Sequence, residues 1–344
     1  MEITTVGLDL AKSAFHVVCF DGHGHEVKKR MLKRAGVRTF FAQLAPCPIG
    51  LEACAGSHYW ARELTALGHR VTLLPAQHVK AYLQGQKNDY NDARAIVAAL
   101  GRPGRRTVAV KTQAQQDVQA LHRLRSQCVK ERTAQANALR GLLAEYGVVV
   151  GRGLAVLRRR LPEVLEDAEN GLSAGFRVAL RRGQVRLAQA DADVAFFTAE
   201  LARQAADDEA VRLLQTAPGF GPLNASAFAS ALGNGAAYRR GRDVGASLGL
   251  VPAQANSGGK PRLLGISKCG DRYLRTLLVH GARAVVAQAQ RKDDDLSRWL
   301  RRLCAERGRN KAIVAMANKM ARIGWAILRS RNPYRAEVGD PASV

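Results

Sequence analysis

The 344-residue sequence has no uninterrupted apolar stretch near the ~18 residues that a membrane-spanning helix needs. Its start, Met1-Glu2-Ile3-Thr4-Thr5, lacks the basic residues and long apolar core of a signal peptide, so a cytoplasmic setting with no membrane partner is expected. None of the six cysteines, at 19, 47, 54, 128, 269 and 304, forms a Cys-x-x-Cys pair. That argues against a zinc ribbon or redox dithiol and for reduced, mostly buried thiols. No Walker A pattern occurs, and the Gly-rich segment that would bind adenosine is missing. An actin-like sugar kinase is disfavoured on that ground, although Gly7-Leu8-Asp9 could begin a phosphate-binding hairpin. Acidic residues are scarce as well: 29 Asp and Glu face 53 Lys and Arg, a net charge of +24. Such a field attracts polyanions, so nucleic acid is the expected partner and an anionic membrane surface a minor alternative. Aromatic residues make up 6% of the chain against 47% hydrophobic residues, a globular balance.

Against that scarcity, the positions of four acids stand out. Asp9 sits in the apolar run Val6-Gly7-Leu8-Asp9-Leu10, and Glu52 in Ile49-Gly50-Leu51-Glu52-Ala53. Asp89 and Asp92 lie three apart in Lys87-Asn88-Asp89-Tyr90-Asn91-Asp92-Ala93, a spacing that shares one helical face. A buried strand rarely carries a carboxylate unless something compensates it. Four hard oxygen donors suit Mg²⁺, and a pair of such ions about 4 Å apart can clamp both oxygens of a phosphodiester exchange. Taken alone, Asp89 and Asp92 read as a solvated acidic pair at a helix start.

The element pattern up to residue 100 is β-β-β-α-β-α-β-α. Strands are expected at 6–10, 14–20, 26–32, 49–53 and 70–74, and helices at 37–44, from Ser57 as cap to Leu67-Gly68, and over most of 76–100. This meander followed by crossovers is the order of a ribonuclease-H-like α/β domain. Asp21-Gly22-His23-Gly24-His25 reads as a hairpin turn rather than a metal site. From Val118 a helical apolar stripe runs to Tyr146, and Leu180, Leu187, Val194 and Leu201 repeat every seven residues, a coiled-coil-like seam suited to an arm or an oligomer contact. Gly151, Gly153 and Arg158-Arg159-Arg160 read as a connection between the two. The expected divisions are 1–105, a ribonuclease-H-like metal domain, which the family resemblance given below makes RuvC-like; 106–214, a long-helix coiled-coil arm; 215–335, a mainly α C-terminal domain; and 336–344, a tail.

In the C-terminal part, Pro218-Gly219-Phe220-Gly221-Pro222 reads as a turn opening a helix, in the manner of a helix-hairpin-helix. Backbone amides at Gly219 and Gly221 could receive a phosphate there. Ser257-Gly258-Gly259-Lys260 carries a hydroxyl between glycines, with Lys260 and Arg262 near enough in sequence to neutralise a phosphate. By itself that serine reads as a turn residue, with Ser267 and Ser247 as competitors. An Arg-rich helix through Arg272, Arg275 and Arg283 follows, and another from Lys311 to Leu328.

Gly7-Leu8-Asp9-Leu10-Ala11-Lys12, Leu51-Glu52-Ala53-Cys54-Ala55-Gly56-Ser57 and Lys87 to Ala93 resemble the DEDD transposases of the insertion-sequence one-ten family. So do Pro218 to Pro222, Leu248-Gly249-Leu250-Val251-Pro252, Ser257 to Lys260 and Lys268-Cys269-Gly270-Asp271-Arg272-Tyr273-Leu274-Arg275. The resemblance covers almost the whole chain. It implies a transposase that cuts and rejoins DNA, with Asp9, Glu52, Asp89 and Asp92 as its metal-binding DEDD set and Ser257 as a nucleophile forming a covalent phosphoserine. It further implies a bridge RNA that pairs with donor and target DNA, and a homo-oligomer, a dimer assembling to a tetramer, at the bacterial nucleoid. Lys12, Lys268, Arg272 and Arg275 would join Gly219, Gly221, Lys260 and Arg262 in contacting nucleic acid. Cys269 stands where a basic residue is commoner in the family, and Asn88 where many members have Thr. Rival readings are a hydrolytic RuvC-like nuclease or Holliday-junction resolvase without a covalent intermediate, and a non-catalytic binder with a decayed site.

Overall fold

Period-two alternation sorts the N-terminal strands into two unlike faces. In β1 (Thr5–Leu10), Val6 and Leu8 point one way, Gly7 and Asp9 the other. β2 (Ala14–Phe20) pairs antiparallel with β1 and with β3 (Glu26–Lys33), while β4 (Pro48–Glu52) and β5 (Arg70–Leu74) add parallel strands, giving the order β3-β2-β1-β4-β5. The helices α1 (Val37–Ala42) and α2 (Ser57–Ala66) make the two crossovers. The first face, with Val6, Leu8, Phe15, Val17, Ile49 and Leu51, buries against Phe41, Trp60 and Leu64 of those helices. After α3 (Ala76–Lys80), α4 (Asp89–Gly101) packs on β1, β2 and β4.

The computed structural model describes residues 2–86, 88–256, 260 and 262–335. It divides into two units, one made of 1–114 with 235–239, the other of 115–234 with 240–344. The chain is thus mixed α/β with a central sheet and a predominance of helix. Among the described residues no helix is long and apolar enough to cross a membrane.

In the second unit, α5 (Gln113–Ala144), α6 (Leu154–Glu166) and α7 (Ala174–Asp207) share one core of Leu139, Leu143, Leu157, Leu161, Leu180 and Leu187. The heptad seam of α7 therefore closes, at Leu180 and Leu187, on helices of the same chain. Gly183 marks the approach: a Cβ there would lie 2.6 Å from Leu139 Cδ2. The remainder comprises α8 (Glu209–Gln215), α9 (Pro222–Leu232), α10 (Gly241–Ser247), the hairpin β6 (Pro252–Gln254) and β7 (Leu263–Ile266), α11 (Arg272–Gln288), α12 (Asp295–Arg307) and α13 (Arg309–Ser330). Buried Met316 and Met320 line the inner face of α13.

Several local expectations need correction. Residues 154–166 are a helix rather than a connection, because Leu154, Leu157, Leu161, Val164 and Leu165 recur at helical spacing and bury. The helix expected over 76–100 is broken between Lys80 and Asp89. Ser57 does not cap α2: its hydroxyl donates to Cys54 O at 2.8 Å, and Gly56 holds the cap position. Of the six thiols only Cys19 and Cys47 are buried, and Cys269 is exposed. The Asp21 turn forms as read, with the amides of His23 and His25 both donating to Asp21 Oδ1 at 2.9 Å.

Candidate functional site

Two glycines decide where the acids go. Gly7 and Gly50 are direct partners in the parallel β1–β4 ladder. A Cβ on Gly7 would sit 2.2 Å from Ala93 O, and one on Gly50 would sit 2.7 Å from Ile96 Cγ2. Bare backbone at Gly7 is what lets α4 lie this close to the sheet, and Gly50 leaves room for Ile96 beside it. Two residues further along each strand, on the same face, come Asp9 and Glu52, one step past the last registered pair, Leu8–Leu51.

The start of α4 brings the other two acids. Asn88 caps it by accepting from Tyr90 N at 2.9 Å, giving the Asn in place of Thr a clear local job. Asp89 and Asp92 occupy the first turn, where exposed amides and the helix dipole favour negative charge. Arg94 Nε and Nη2 donate to the two carboxylate oxygens of Glu26 at 2.7 and 3.2 Å, tying α4 to β3.

Asp9 and Glu52 both feel the neighbouring acids. Burial, then Asp92, Asp89 and Glu52, push the Asp9 carboxyl up to about 6, with His16 acting in the opposite direction. Glu52 is likewise raised, by burial and then Asp92. Cys54 beside them is raised by burial, Glu52 and Asp9. Four acids held so close repel one another, and a divalent cation would relieve that repulsion.

Sequence reasoning missed one participant. His16 on β2 is the direct cross-strand partner of Asp9, so both side chains stand on the α4 face. Its Nδ1 lies 3.5 Å from Asp89 Oδ2, and Asp9, His16 and Asp89 each offer a ligand atom within 4.8 Å of the others. That nitrogen is buried and has no hydrogen-bond partner among the described residues. In sequence, a lone histidine inside Ala14–Phe20 looks like core; only the strand register reveals its company. Carboxylate oxygens plus an orphaned imidazole nitrogen fit a divalent metal.

The expected nucleic-acid contacts divide by environment. Lys12 in the first unit is exposed, and Lys260, Arg262, Lys268 and Arg272 are exposed in the second. Gly221 is the N-cap of α9 and has open space around it. Gly219 instead serves packing: its φ is +86°, a Cβ there would press on Met320, and its carbonyl accepts from Asn224 Nδ2 at 2.8 Å. Arg275 is turned inward, its Nη1 donating to Leu248 O at 2.9 Å and Cys269 O at 2.7 Å. It braces the turn that carries Cys269 rather than presenting a free guanidinium. Asn256 Oδ1 accepts from Arg262 N at 3.0 Å at the loop end of the β6–β7 hairpin. Ser257, Gly258 and Gly259, and Lys87 of the acidic motif, lie outside the described residues.

A second polar cluster sits in the C-terminal unit. His122 on α5 is buried, with Nδ1 2.9 Å from Tyr273 Oη and Nε2 3.0 Å from Ser226 Oγ. Burial, then Arg125, lower its pKa to about 4.

A basic chain with an acid-lined α/β unit and a helical partner unit has the makings of a DNA transposase, and comparison with known proteins agrees. Residues 6–148 match a model of DEDD transposases, and residues 211–297 match the transposase IS116/IS110/IS902 family. Over 336 residues the chain is 46% identical to a probable family 20 transposase of Pseudomonas aeruginosa, covering 97% of this chain and 99% of that one. It is 40% identical to the transposase for insertion sequence element IS1111A of Coxiella burnetii (97% and 92% covered), and 38% identical to that of element IS1328 of Yersinia enterocolitica (95% and 97%). The chain belongs to the IS110 family of transposases.

Proposed function

We propose that this transposase cuts and rejoins DNA with Asp9, Glu52, Asp89 and Asp92 as a Mg²⁺ site and Ser257 as the nucleophile, directed to donor and target by a bridge RNA. The observation that supports this reading is the placement of four mutually repelling carboxylates at the α4 N-terminus, above the Gly7–Gly50 pair. Mg²⁺ bound there would neutralise charge on the phosphoryl oxygens and on the entering and leaving oxygens.

The chain's own groups carry the remainder. Ser257 Oγ attacks phosphorus and gives up its proton, and a deoxyribose oxygen leaves with the bonding pair and takes a proton. One phosphoester replaces another, so the linkage is conserved and a second strand's hydroxyl can reverse the exchange without an energy source. Lys12, Lys260, Arg262, Lys268 and Arg272, all exposed, neutralise the backbone. The α8–turn–α9 segment offers the Gly221 N-cap to a phosphate in the manner of a helix-hairpin-helix. Residues 1–105 act as a RuvC-like catalytic domain, 106–214 as the arm and 215–335 as the serine-bearing domain, in a dimer that assembles to a tetramer on the two DNAs.

Trapping decides the question. Incubated with Mg²⁺, guide RNA and a nicked end substrate, the wild-type protein should form a protein–DNA adduct stable to denaturant, absent in Ser257→Ala and in Asp9→Asn. Cleavage without any adduct would instead identify a hydrolytic nuclease. Full strand exchange by RNA-free protein would remove the guide from the scheme.

A further inference from the structure

The Asp9–Glu52–Asp89–Asp92 reading leaves one buried group on the same sheet face unexplained. Within the Ala14–Phe20 strand, every residue from Phe15 to Cys19 is buried, and four of those five are apolar. His16 is the exception, and it sits 91% buried, from the 9% that remains exposed. Buried polar atoms almost always find a partner, so an orphan needs a reason. His16 Nδ1 has none among the described residues, although Asp89 Oδ2 is only 3.5 Å away.

The ring is not free to look elsewhere. Its backbone is fixed opposite Asp9 by the β1–β2 ladder and opposite Met31 by the β2–β3 ladder. Its plane is set by an edge-to-face contact with Tyr90 of α4, with centroids 4.8 Å apart at 84°. Tyr90 lies between Asn88, the α4 cap, and the Asp92 turn, so the element that delivers the acids also orients the imidazole. The result is a nitrogen lone-pair position aimed at the space between a strand acid and a helix acid.

Donor spacing discriminates between a bond to Asp89 and a shared ligand. Metal–donor bonds of roughly 2.2 Å put neighbouring donors about 3 Å apart and opposite ones about 4.4 Å apart. The 3.5 Å separation from Asp89 falls between those two spacings, and the 4.8 Å limit on the whole triad lies just above the larger, so small side-chain movements would close the three donors on one ion. As a hydrogen bond the contact is too long.

We infer that His16 Nδ1 is a direct ligand of the divalent metal held by Asp9 and Asp89, making the centre a mixed nitrogen–oxygen site rather than a purely carboxylate one. The inference rests on the acid-cluster reading and adds a consequence to it. Imidazole suits first-row transition ions better than Mg²⁺, so a nitrogen ligand lets the Mg²⁺ site also hold Mn²⁺, an ion that accepts the surrounding carboxylates as Mg²⁺ does. The coordinating Nδ1 must be unprotonated, with the ring proton on Nε2.

The test uses full-length protein freed of metal, given one equivalent of Mn²⁺ and examined by electron paramagnetic resonance. Loss of the free-ion signal counts bound Mn²⁺; spin-echo modulation reports directly bound ¹⁴N. The expected result is bound Mn²⁺ with ¹⁴N modulation that changes on incorporation of ¹⁵N-histidine and disappears in His16→Gln, together with at least about a tenfold loss of Mn²⁺ affinity. The isotope arm needs no variant, so a folding defect in His16→Gln leaves the test intact. Bound Mn²⁺ without nitrogen modulation overturns His16 as a ligand and leaves the carboxylate site standing. Failure of Mn²⁺ to bind at all overturns both.

Discussion

Gly7 and Gly50 face each other across the β1–β4 ladder, and α4 rests on the bare backbone between them. The two contacts differ in kind. A methyl on Gly7 meets the Ala93 carbonyl oxygen at 2.2 Å, which can yield only by moving the helix; one on Gly50 meets the tip of Ile96 at 2.7 Å, which can change rotamer. Gly7→Ala should therefore destabilise the first unit by about 3 kcal/mol and Gly50→Ala by about 1 kcal/mol, the range of overpacked cores. Denaturant unfolding checks the order. Equal costs would mean that the helix is not seated on Gly7. Because α4 carries Asp89 and Asp92, Gly7→Ala should also weaken metal binding in protein that remains folded.

The acid cluster makes the metal-free protein unstable where it is charged. Asp9→Asn removes one of four like charges and a partly buried carboxylate. In chelator-treated protein at pH 8 it should raise stability by about 1 kcal/mol, a figure discounted for solvent screening. The same substitution should abolish the gain that wild type draws from metal, about 2.7 kcal/mol at a hundredfold excess over Kd. Thermal melts of both proteins, with and without Mn²⁺ or Mg²⁺, should cross: the variant more stable without metal, wild type more stable with it. A variant less stable in both conditions would contradict the repulsion.

Much of this site was legible from strand and helix spacing alone. The Val- and Phe-rich run 14–20 and the run 70–74 match β2 and β5 to the residue, and the three-residue step from Asp89 to Asp92 puts both in the first turn of α4. His16 was invisible for a physical reason: its meaning depends on the β1–β2 register, and one residue of slip would have sent it to the opposite face. The Gly7–Gly50 pairing was hidden likewise, since neither glycine announces which helix will cover it. Residues 154–166 were misread because Gly151, Gly153 and three arginines drew attention from a sound apolar stripe through Leu157 and Leu161. For Arg275 the resemblance suggests a nucleic-acid contact, and a motif does not reveal which cations also satisfy carbonyls inside the fold, as its Nη1 does for Leu248 O and Cys269 O.

His122 gives the second unit an acid-sensitive lock. Its imidazole stays neutral between Tyr273 and Ser226, with a folded pKa near 4 against 6.5 for an exposed ring. Between those values the unfolded chain binds the proton and the folded chain does not. The stability contribution is thus complete above about pH 6.5 and is lost as the pH falls towards 4, to a limit of roughly 3 kcal/mol. His122→Gln should flatten this limb of the stability–pH curve. Tyr273→Phe leaves Nδ1 without its partner and should cost about 1–3 kcal/mol at pH 7.5. A wild-type curve with no slope between pH 4 and 6.5 would show that the ring is not held neutral.

Arg272 and Arg275 stand one turn apart on α11 and should fail in different ways. Arg272 is exposed, so Arg272→Ala should leave stability within about 0.5 kcal/mol of wild type. On the reading proposed above it contacts a phosphate, so the log–log salt dependence of DNA binding should fall by about one unit. Arg275 donates to Leu248 O and Cys269 O, and Arg275→Ala strands one carbonyl at the end of α10 and one in the turn that precedes α11. The expected cost is about 2 kcal/mol of stability with the salt slope unchanged. Arg275→Lys should rescue little, because an ammonium on a flexible stem does not reproduce a planar guanidinium held against two carbonyls. Fluorescence anisotropy across a salt series, paired with denaturant melts of each variant, separates the two roles. A lowered slope for Arg275→Ala with unchanged stability would return that arginine to the DNA.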